Sequence, residues 1–360
     1  MDRLFSPFQL KSLSTRNRFV LSPMTRSFSP GGIPTAEVAR YYRRRAEAEV
    51  GLVLSEGAAI SRVAAVNDPA VPHFYGDEAL SGWQQVIDEV KAAGGQMGPQ
   101  LWHAGIQAPH SSGWLPALPF EGPSAKDNGV AMTDADIADT IAAFGAAARD
   151  AQRLGFNCVE LQGAHGYLID QFFWHHTNKR TDRYGGSTLA ARSRFAQEVI
   201  KEVRRQTGEG FALLFRLSQW RFTDVKSKLA ATPQELESWL QPLADAGVDI
   251  FHCSTRRFSD PEFSGSDLNL AGWAKKLTGK ATIIVGSVGL DKDVTTIFTG
   301  ETAQPAVAMD ELLRRLDRNE FDLVAVGRPL LADPCWVQKV KENRIHELQA
   351  FNPEALSRLI

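Results

Sequence analysis

Cysteine is scarce: Cys158, Cys253 and Cys335 are the only three in 360 residues, and no pair has CxxC spacing. So few and so scattered, they make neither a disulfide framework nor a ligand set for zinc or an iron–sulfur cluster, and they fit reduced thiols. Charge of one sign is also lacking. With 40 Lys+Arg against 42 Asp+Glu the balance is −2, which gives no electrostatic reason to bind nucleic acid or an anionic membrane. No run of about 18 apolar residues occurs, so no membrane span is expected. The first ten residues, MDRLFSPFQL, lack the apolar centre of a signal peptide, and a soluble cytoplasmic protein is expected. G-x-G-x-x-G, P-loop, H-E-x-x-H and G-x-S-x-G patterns are absent as well. That argues against an open dinucleotide-binding sheet, phosphate transfer, a zinc protease and a serine hydrolase.

The chain does carry a globular balance of residues, 43% hydrophobic and 23% charged, and a repeating pattern. Eight short apolar runs are each followed by small or polar residues and then by an amphipathic stretch. They are Arg18–Leu21, Leu52–Ser55, Gly98–Leu101, Cys158–Leu161, Ala212–Leu217, Ile250–Cys253, Thr282–Val285 and Leu323–Val326. Continuous apolar runs suit parallel strands covered on both faces. Helices are expected over Thr35–Ala48, Asp77–Lys91, Leu189–Thr207, Ala271–Thr278, Met309–Arg318 and Pro334–Ile345. Two more start at Thr133, with Asp136 as a loose capping box, and at Thr232-Pro233-Gln234-Glu235, the full form. Eight strands alternating with eight helices predict a (β/α)8 TIM barrel, one domain over 1–360, with a long excursion at about 104–132 after strand 3 and a shorter one at 218–231.

A barrel does its chemistry at the C-terminal ends of its strands. Those ends carry Ser22-Pro23-Met24-Thr25, Glu56-Gly57-Ala58, Gln100-Leu101-Trp102-His103, Gln162 to Tyr167, Arg216, Gly286-Ser287 and Gly327-Arg328. Glycines after strands 7 and 8 let backbone N–H groups approach a phosphate, while Arg328 adds a forked permanent charge, so a phosphorylated ligand is implied. Either pair alone would more readily be a turn and an ion pair; together at these two strand ends, the phosphate reading leads. Arg216, ending an apolar strand near the mouth, needs an electron-rich partner, whether a ligand or a structural carboxylate. Gln162 and His165, three apart, would share one side of a turn or incipient helix, with Tyr167 on the same loop. Taken singly, His165 could be a satisfied core histidine, Tyr167 a packing ring, and Trp102 a core residue or a pocket wall. Adjacent His175 and His176 diverge and make no metal site; His73, His110, His252 and His346 have no assigned role.

Three longer runs, Gln100 to Gly105 (QLWHAG), His165 to Phe172 (HGYLIDQF) and Asn178 to Ser187 (NKRTDRYGGS), together with the strand ends, resemble the old yellow enzyme family of FMN-dependent ene-reductases along essentially the whole chain. The resemblance implies a barrel holding non-covalent FMN, reduced by NADPH or NADH, and acting on a small activated alkene. By position, Pro23, Thr25, Ala58 and Gln100 would lie at the isoalloxazine ring, with Ser22 and Met24 also binding the cofactor. Arg216 would sit beside its N1 and C2 oxygen, and Gly286, Ser287, Gly327 and Arg328 would hold the phosphate. Tyr167 would be the proton donor, and Gln162 and His165, with Trp102 near, would bind the substrate oxygen. Gln162 departs from the family, which usually has histidine there. A carboxamide can still donate from nitrogen, but it is never cationic and can rotate to offer oxygen instead. At the tail, 351–360, the resemblance fades and assigns no pocket residue.

Two alternatives stand beside reduction of the alkene. One is a flavin-dependent dehydrogenase or demethylase of a small substrate, suggested by Gln162; the other is a flavin-free binding barrel that has lost catalysis.

Overall fold

The protein is described by a computed structural model covering residues 2–107, 114–126, 129–306 and 309–360. Eight strands close on themselves: β1 (Phe19–Leu21), β2 (Leu52–Ala59), β3 (Met97–Trp102), β4 (Cys158–His165), β5 (Ala212–Arg221), β6 (Ile250–Ser254), β7 (Ala281–Val285) and β8 (Leu323–Val326). Every neighbouring pair is parallel, and β8 returns to β1, so the barrel has no free edge. The main helices are α1 (Ala36–Glu47), α2 (Asp77–Ala92), α3 (Asp134–Leu154), α4 (Arg194–Thr207), α5 (Pro233–Ala246), α6 (Leu270–Thr278), α7 (Met309–Asp317) and α8 (Trp336–Lys341). No helix among the described residues is long and apolar enough to cross a membrane.

The expected strands and helices are present, with instructive differences at their ends. Strands β2, β4 and β5 run well past their apolar cores, because polar residues at the mouth remain in the ladder. Ser218–Arg221 therefore belongs to β5, and the excursion after it begins later than expected. The single helix expected over Leu189–Thr207 is interrupted at Ser193, whose hydroxyl donates to the Ala190 carbonyl at 2.7 Å. The two capping boxes exchange forms. Thr133 and Asp136 close the reciprocal box, whereas Glu235 takes the N–H of Ala231 rather than that of Thr232.

Side chains on a strand alternate between faces, and inward positions here follow one plan. The lower interior is filled by Val20, Leu52, Leu54, Cys158, Ala212, Leu214, Ile250, Ile283, Leu323 and Ala325, joined by Leu13. Leu13 comes from an N-terminal hairpin, Phe8–Leu10 with Leu13–Thr15, lying outside the eight-stranded ring. Counting by two up β4, β5 and β6 reaches Glu160, Gln162, Arg216, His252 and Ser254, and β3 adds Gln100, all buried and all polar. The excursion after β3 is pinned by Glu121, which meets His103 at 2.9 Å and Arg62 at 2.5 Å. His110 and residues 108–113, 127 and 128 of that excursion lie outside the described residues.

Gly98 on β3 marks a close strand approach, since a Cβ there would sit 2.4 Å from the Cys158 Sγ and 2.8 Å from the Cys158 carbonyl oxygen. Gly98→Ala should therefore lower unfolding stability by about 1–3 kcal/mol, the usual cost of overpacking, readable as a drop in the denaturant midpoint.

Candidate active site

The mouth of the barrel opens into a cavity of about 1230 Å³, roomy enough for a cofactor and a small substrate together. Ser22, Pro23, Met24 and Thr25 line it after β1, Gln100 and Trp102 at β3, and Gln162, His165 and Tyr167 at β4. Arg216, Gly286, Ser287, Gly327 and Arg328 complete the set. Ala58 does not reach this wall. A register shift between Leu54 and Gly57 puts its neighbour Gly57 there instead, while Ala58 is fully buried.

Gln162 and His165 stand on β4, not on a turn or incipient helix. Three residues apart on a regular strand they would point to opposite faces. A register shift between Gly163 and His165, with His165 at φ 64° and Gly166 at φ 85°, turns both into the cavity. His165 is held by Ser254, whose Oγ lies 2.8 Å from its Nε2, and by the rings of Trp220 and Phe222, each 4.9 Å away. Burial, then Arg216 and His252, hold its pKa well below the usual histidine value, so the ring is neutral. Tyr167 caps the short helix Leu168–Phe173 and meets Trp102 edge-on at 5.3 Å. Burial pushes its phenol up to about 12 against an opposing pull from Arg216.

Arg216 is the fixed cation of this floor. Its Nη1 donates to the Pro23 carbonyl at 3.2 Å and its Nη2 to Ser22 Oγ at 3.3 Å, but among the described residues its Nε is buried without a partner and no carboxylate touches it. A buried guanidinium left this way is incomplete. Gln162 Oε1 is likewise buried and unpartnered. At the β7 and β8 end of the cavity, Gly286 has φ 155°, and a Cβ on it would lie 2.4 Å from Thr255 Oγ1, so only glycine fits. The amides of Gly286, Ser287 and Gly327 donate to no described residue. The Ser287 hydroxyl is turned away, onto the Arg256 carbonyl at 2.8 Å. Arg328 is partly committed: its terminal nitrogens reach the carbonyls of Lys292 (2.5 Å) and Asp293 (2.9 Å). A phosphorylated ring with carbonyl acceptors fits these groups, because it offers oxygens to Arg216 at one end and to open amides at the other. Among the described residues, no group of three or more His, Cys, Asp and Glu could hold a metal.

Several site residues carry no motif and were not found by reading strand ends: Glu160, His252 and Ser254 inside the barrel, and Trp220 and Leu356 at the wall. Parity would have found the first three, since each lies two residues from an inward neighbour. Leu356 belongs to the tail, which Arg26 fastens by donating to the carbonyls of Ala355 (3.2 Å), Leu356 (3.2 Å) and Arg358 (2.5 Å). Glu56 supports the same loop by accepting from the amides of Arg26 and Ser27 at 2.8 and 2.9 Å.

Burial raises Glu56 from 4.5 to about 7, against the pull of those two amides. The folded state thus holds a proton that the unfolded chain releases earlier. Its contribution to stability is full below pH 4.5 and is lost as pH rises through about 7. The amount by which the thermal midpoint of the native protein exceeds that of Glu56→Gln should fall as pH rises from about 5 to about 8.

Residues 3–347 match the model of the NADH:flavin oxidoreductase / NADH oxidase family. The NADPH dehydrogenase of Bacillus subtilis (strain 168) is 30% identical over 352 residues, covering 97% of each chain. That of Bacillus cytotoxicus is 32% identical over 360 residues, covering 99% of this chain and 96% of the relative. Among solved structures, morphinone reductase in complex with tetrahydroNAD superposes with a TM-score of 0.77 at 27% identity, over 98% of this chain and 93% of that one. An old yellow enzyme homologue from Zymomonas mobilis, at 23% identity and TM-score 0.80, shares the fold. With an intact barrel, a family model matched over residues 3–347 and relatives alike over nearly their whole length, the chain belongs to the NADH:flavin oxidoreductase family of old yellow enzymes and is an FMN-dependent oxidoreductase using NAD(P)H.

Proposed function

We propose that the protein, as one FMN-binding domain over 1–360, reduces the activated C=C bond of small α,β-unsaturated carbonyl or nitro compounds. FMN held in this cavity would supply the redox chemistry, hydride transfer between NAD(P)H and the β carbon of the alkene. The residues proposed to hold it are Ser22, Pro23, Met24, Thr25, Gln100 and Arg216 at the ring, and Gly286, Ser287, Gly327 and Arg328 at the phosphate; Ala58 supports the wall behind Gly57. Arg216 would offer an electron-rich ring edge a charge that water does not screen.

What supports the substrate side most is one observation: Gln162, His165 and Tyr167 line the same cavity as Arg216 and Gln100. Gln162 Nε2–H and a ring nitrogen of neutral His165 polarise the substrate oxygen as negative charge develops on it. Trp102 fixes the phenol of Tyr167 from the side. Tyr167 Oη gives its proton to the α carbon and regains one from solvent, so one NAD(P)H and one proton are consumed per alkene. With its phenol raised to about 12, Tyr167 stays protonated throughout the neutral range, as a donor must.

The purified chain should be yellow, bleach anaerobically with NADPH or NADH, and recover its colour with cyclohexenone or maleimide. Bleaching that no activated alkene reverses would overturn the alkene assignment and leave oxidation of a small donor as the reading to pursue.

Tyr167→Phe should slow reoxidation by alkene by about 10²–10⁴-fold while reduction by NADPH proceeds at its native rate, as separate stopped-flow half-reactions will resolve. Gln162→Leu should lower kcat/KM for enones by about 10–100-fold, the loss of one donor to a developing oxyanion, with FMN content unchanged by absorbance.

A further inference from the structure

Under the cavity floor, Glu160 accepts one hydrogen bond at each oxygen. Gln100 Nε2 donates to Oε1 at 2.8 Å, and His252 Nδ1 donates to Oε2 at 2.7 Å. Glu160 and His252 are fully buried and Gln100 is 3% exposed. Placing a carboxylate here is costly, and Arg216, the nearest fixed cation of the floor, does not touch it. Packing alone would be served better by an apolar residue, as at Cys158 one step below on the same face.

A carboxylate can only accept, so Glu160 dictates what its neighbours turn toward it. His252 has its Nε2 buried and unpartnered, and burial holds the ring below its usual pKa, so the neutral ring carries its proton on Nδ1, toward Glu160. Gln100 faces the same demand. Its nitrogen must point to Glu160, because the reverse orientation would set oxygen against oxygen. The Gln100 carbonyl oxygen is then left on the other side; no described residue donates to it, and Gln100 lines the cavity.

We propose that Glu160 is a positioning residue that locks the Gln100 carboxamide with its oxygen toward the cavity, so that the site selects a ring edge carrying an N–H between carbonyls. The pyrimidine edge of isoalloxazine has that pattern at N3. The inference rests on the FMN reading of the cavity and adds the polarity of one contact within it. Glu160 acts through Gln100 and touches neither cofactor nor substrate.

The test compares binding of FMN with that of its N3-methylated analogue by the full chain. The wild-type chain should prefer FMN by about tenfold or more, the worth of one buried hydrogen bond. Glu160→Leu removes the acceptor, frees the carboxamide to rotate and should bring the two affinities close together. Glu160→Gln keeps one acceptor oxygen for Gln100 while His252 changes tautomer, and should retain most of the preference. Loss of the preference in both variants alike would point to charge instead of orientation and would overturn the proposal. So would equal wild-type affinities, or an undiminished preference in Glu160→Leu. A wild-type chain that takes up neither flavin would instead overturn the FMN reading itself.

If Glu160→Leu does not fold, the wild-type holoenzyme still decides the matter. With 15N-labelled flavin, the N3 proton should exchange slowly and resonate downfield, and a fast-exchanging N3 proton would sink the proposal.

Discussion

Alternation of side chains along eight closed parallel strands is the constraint on which this molecule is built. Every second residue must enter a space that water reaches only from the mouth. The chain answers by changing the chemistry of those positions with height. Branched and small apolar residues occupy the lower layers, where nothing could satisfy a polar group; above them come Gln100, Glu160, Gln162, Arg216, His252 and Ser254. Each polar residue there either finds a partner on a neighbouring strand or is left to meet one in the cavity. Strand register therefore sets the site directly: Arg216 lies across from Gln162 on one side and His252 on the other.

Electrostatically the floor of the cavity sets neutral donors around Arg216, with Arg328 as a second buried cation at the far wall. His165 and His252 are both held neutral by burial, and Tyr167 is kept protonated. Arg216 alone carries permanent charge at the centre of the floor, and its own pKa is lowered by desolvation while Glu160 raises it. Such an arrangement responds to negative charge arriving from a ligand, because Glu160 acts on Arg216 only from a distance and forms no ion pair with it.

Much of this was legible in the chain. Apolar runs marked the strands because parallel strands are covered on both faces, and side-chain oxygens at Thr133 and Thr232 marked helix starts because orphan amides need acceptors there. Residues at strand ends were legible for the same reason: Gly286, Ser287, Gly327 and Arg328 all reached the cavity. What escaped depended on pairing with a distant strand. The irregularity that turns His165 inward exists only in register with β5, and the one between Leu54 and Gly57, which substitutes Gly57 for Ala58, exists only against β3. Glu160 and His252 were hidden inside runs read as uniformly apolar, although counting by two from Gln162 and Ser254 leads to both. Arg26 fastens carbonyls more than 300 positions away, a kind of contact with no local signature.

The Arg26 fastening couples two regions of chain that are remote in sequence. The loop after β1 and the segment around Leu356 both border the cavity, and one guanidinium ties them. Among relatives, a change of residue type at position 26 should accompany a change in the length or path of the last dozen residues. Diversification of substrate range along this wall would then proceed by paired steps, because either half altered alone leaves a buried guanidinium or a row of carbonyls unanswered.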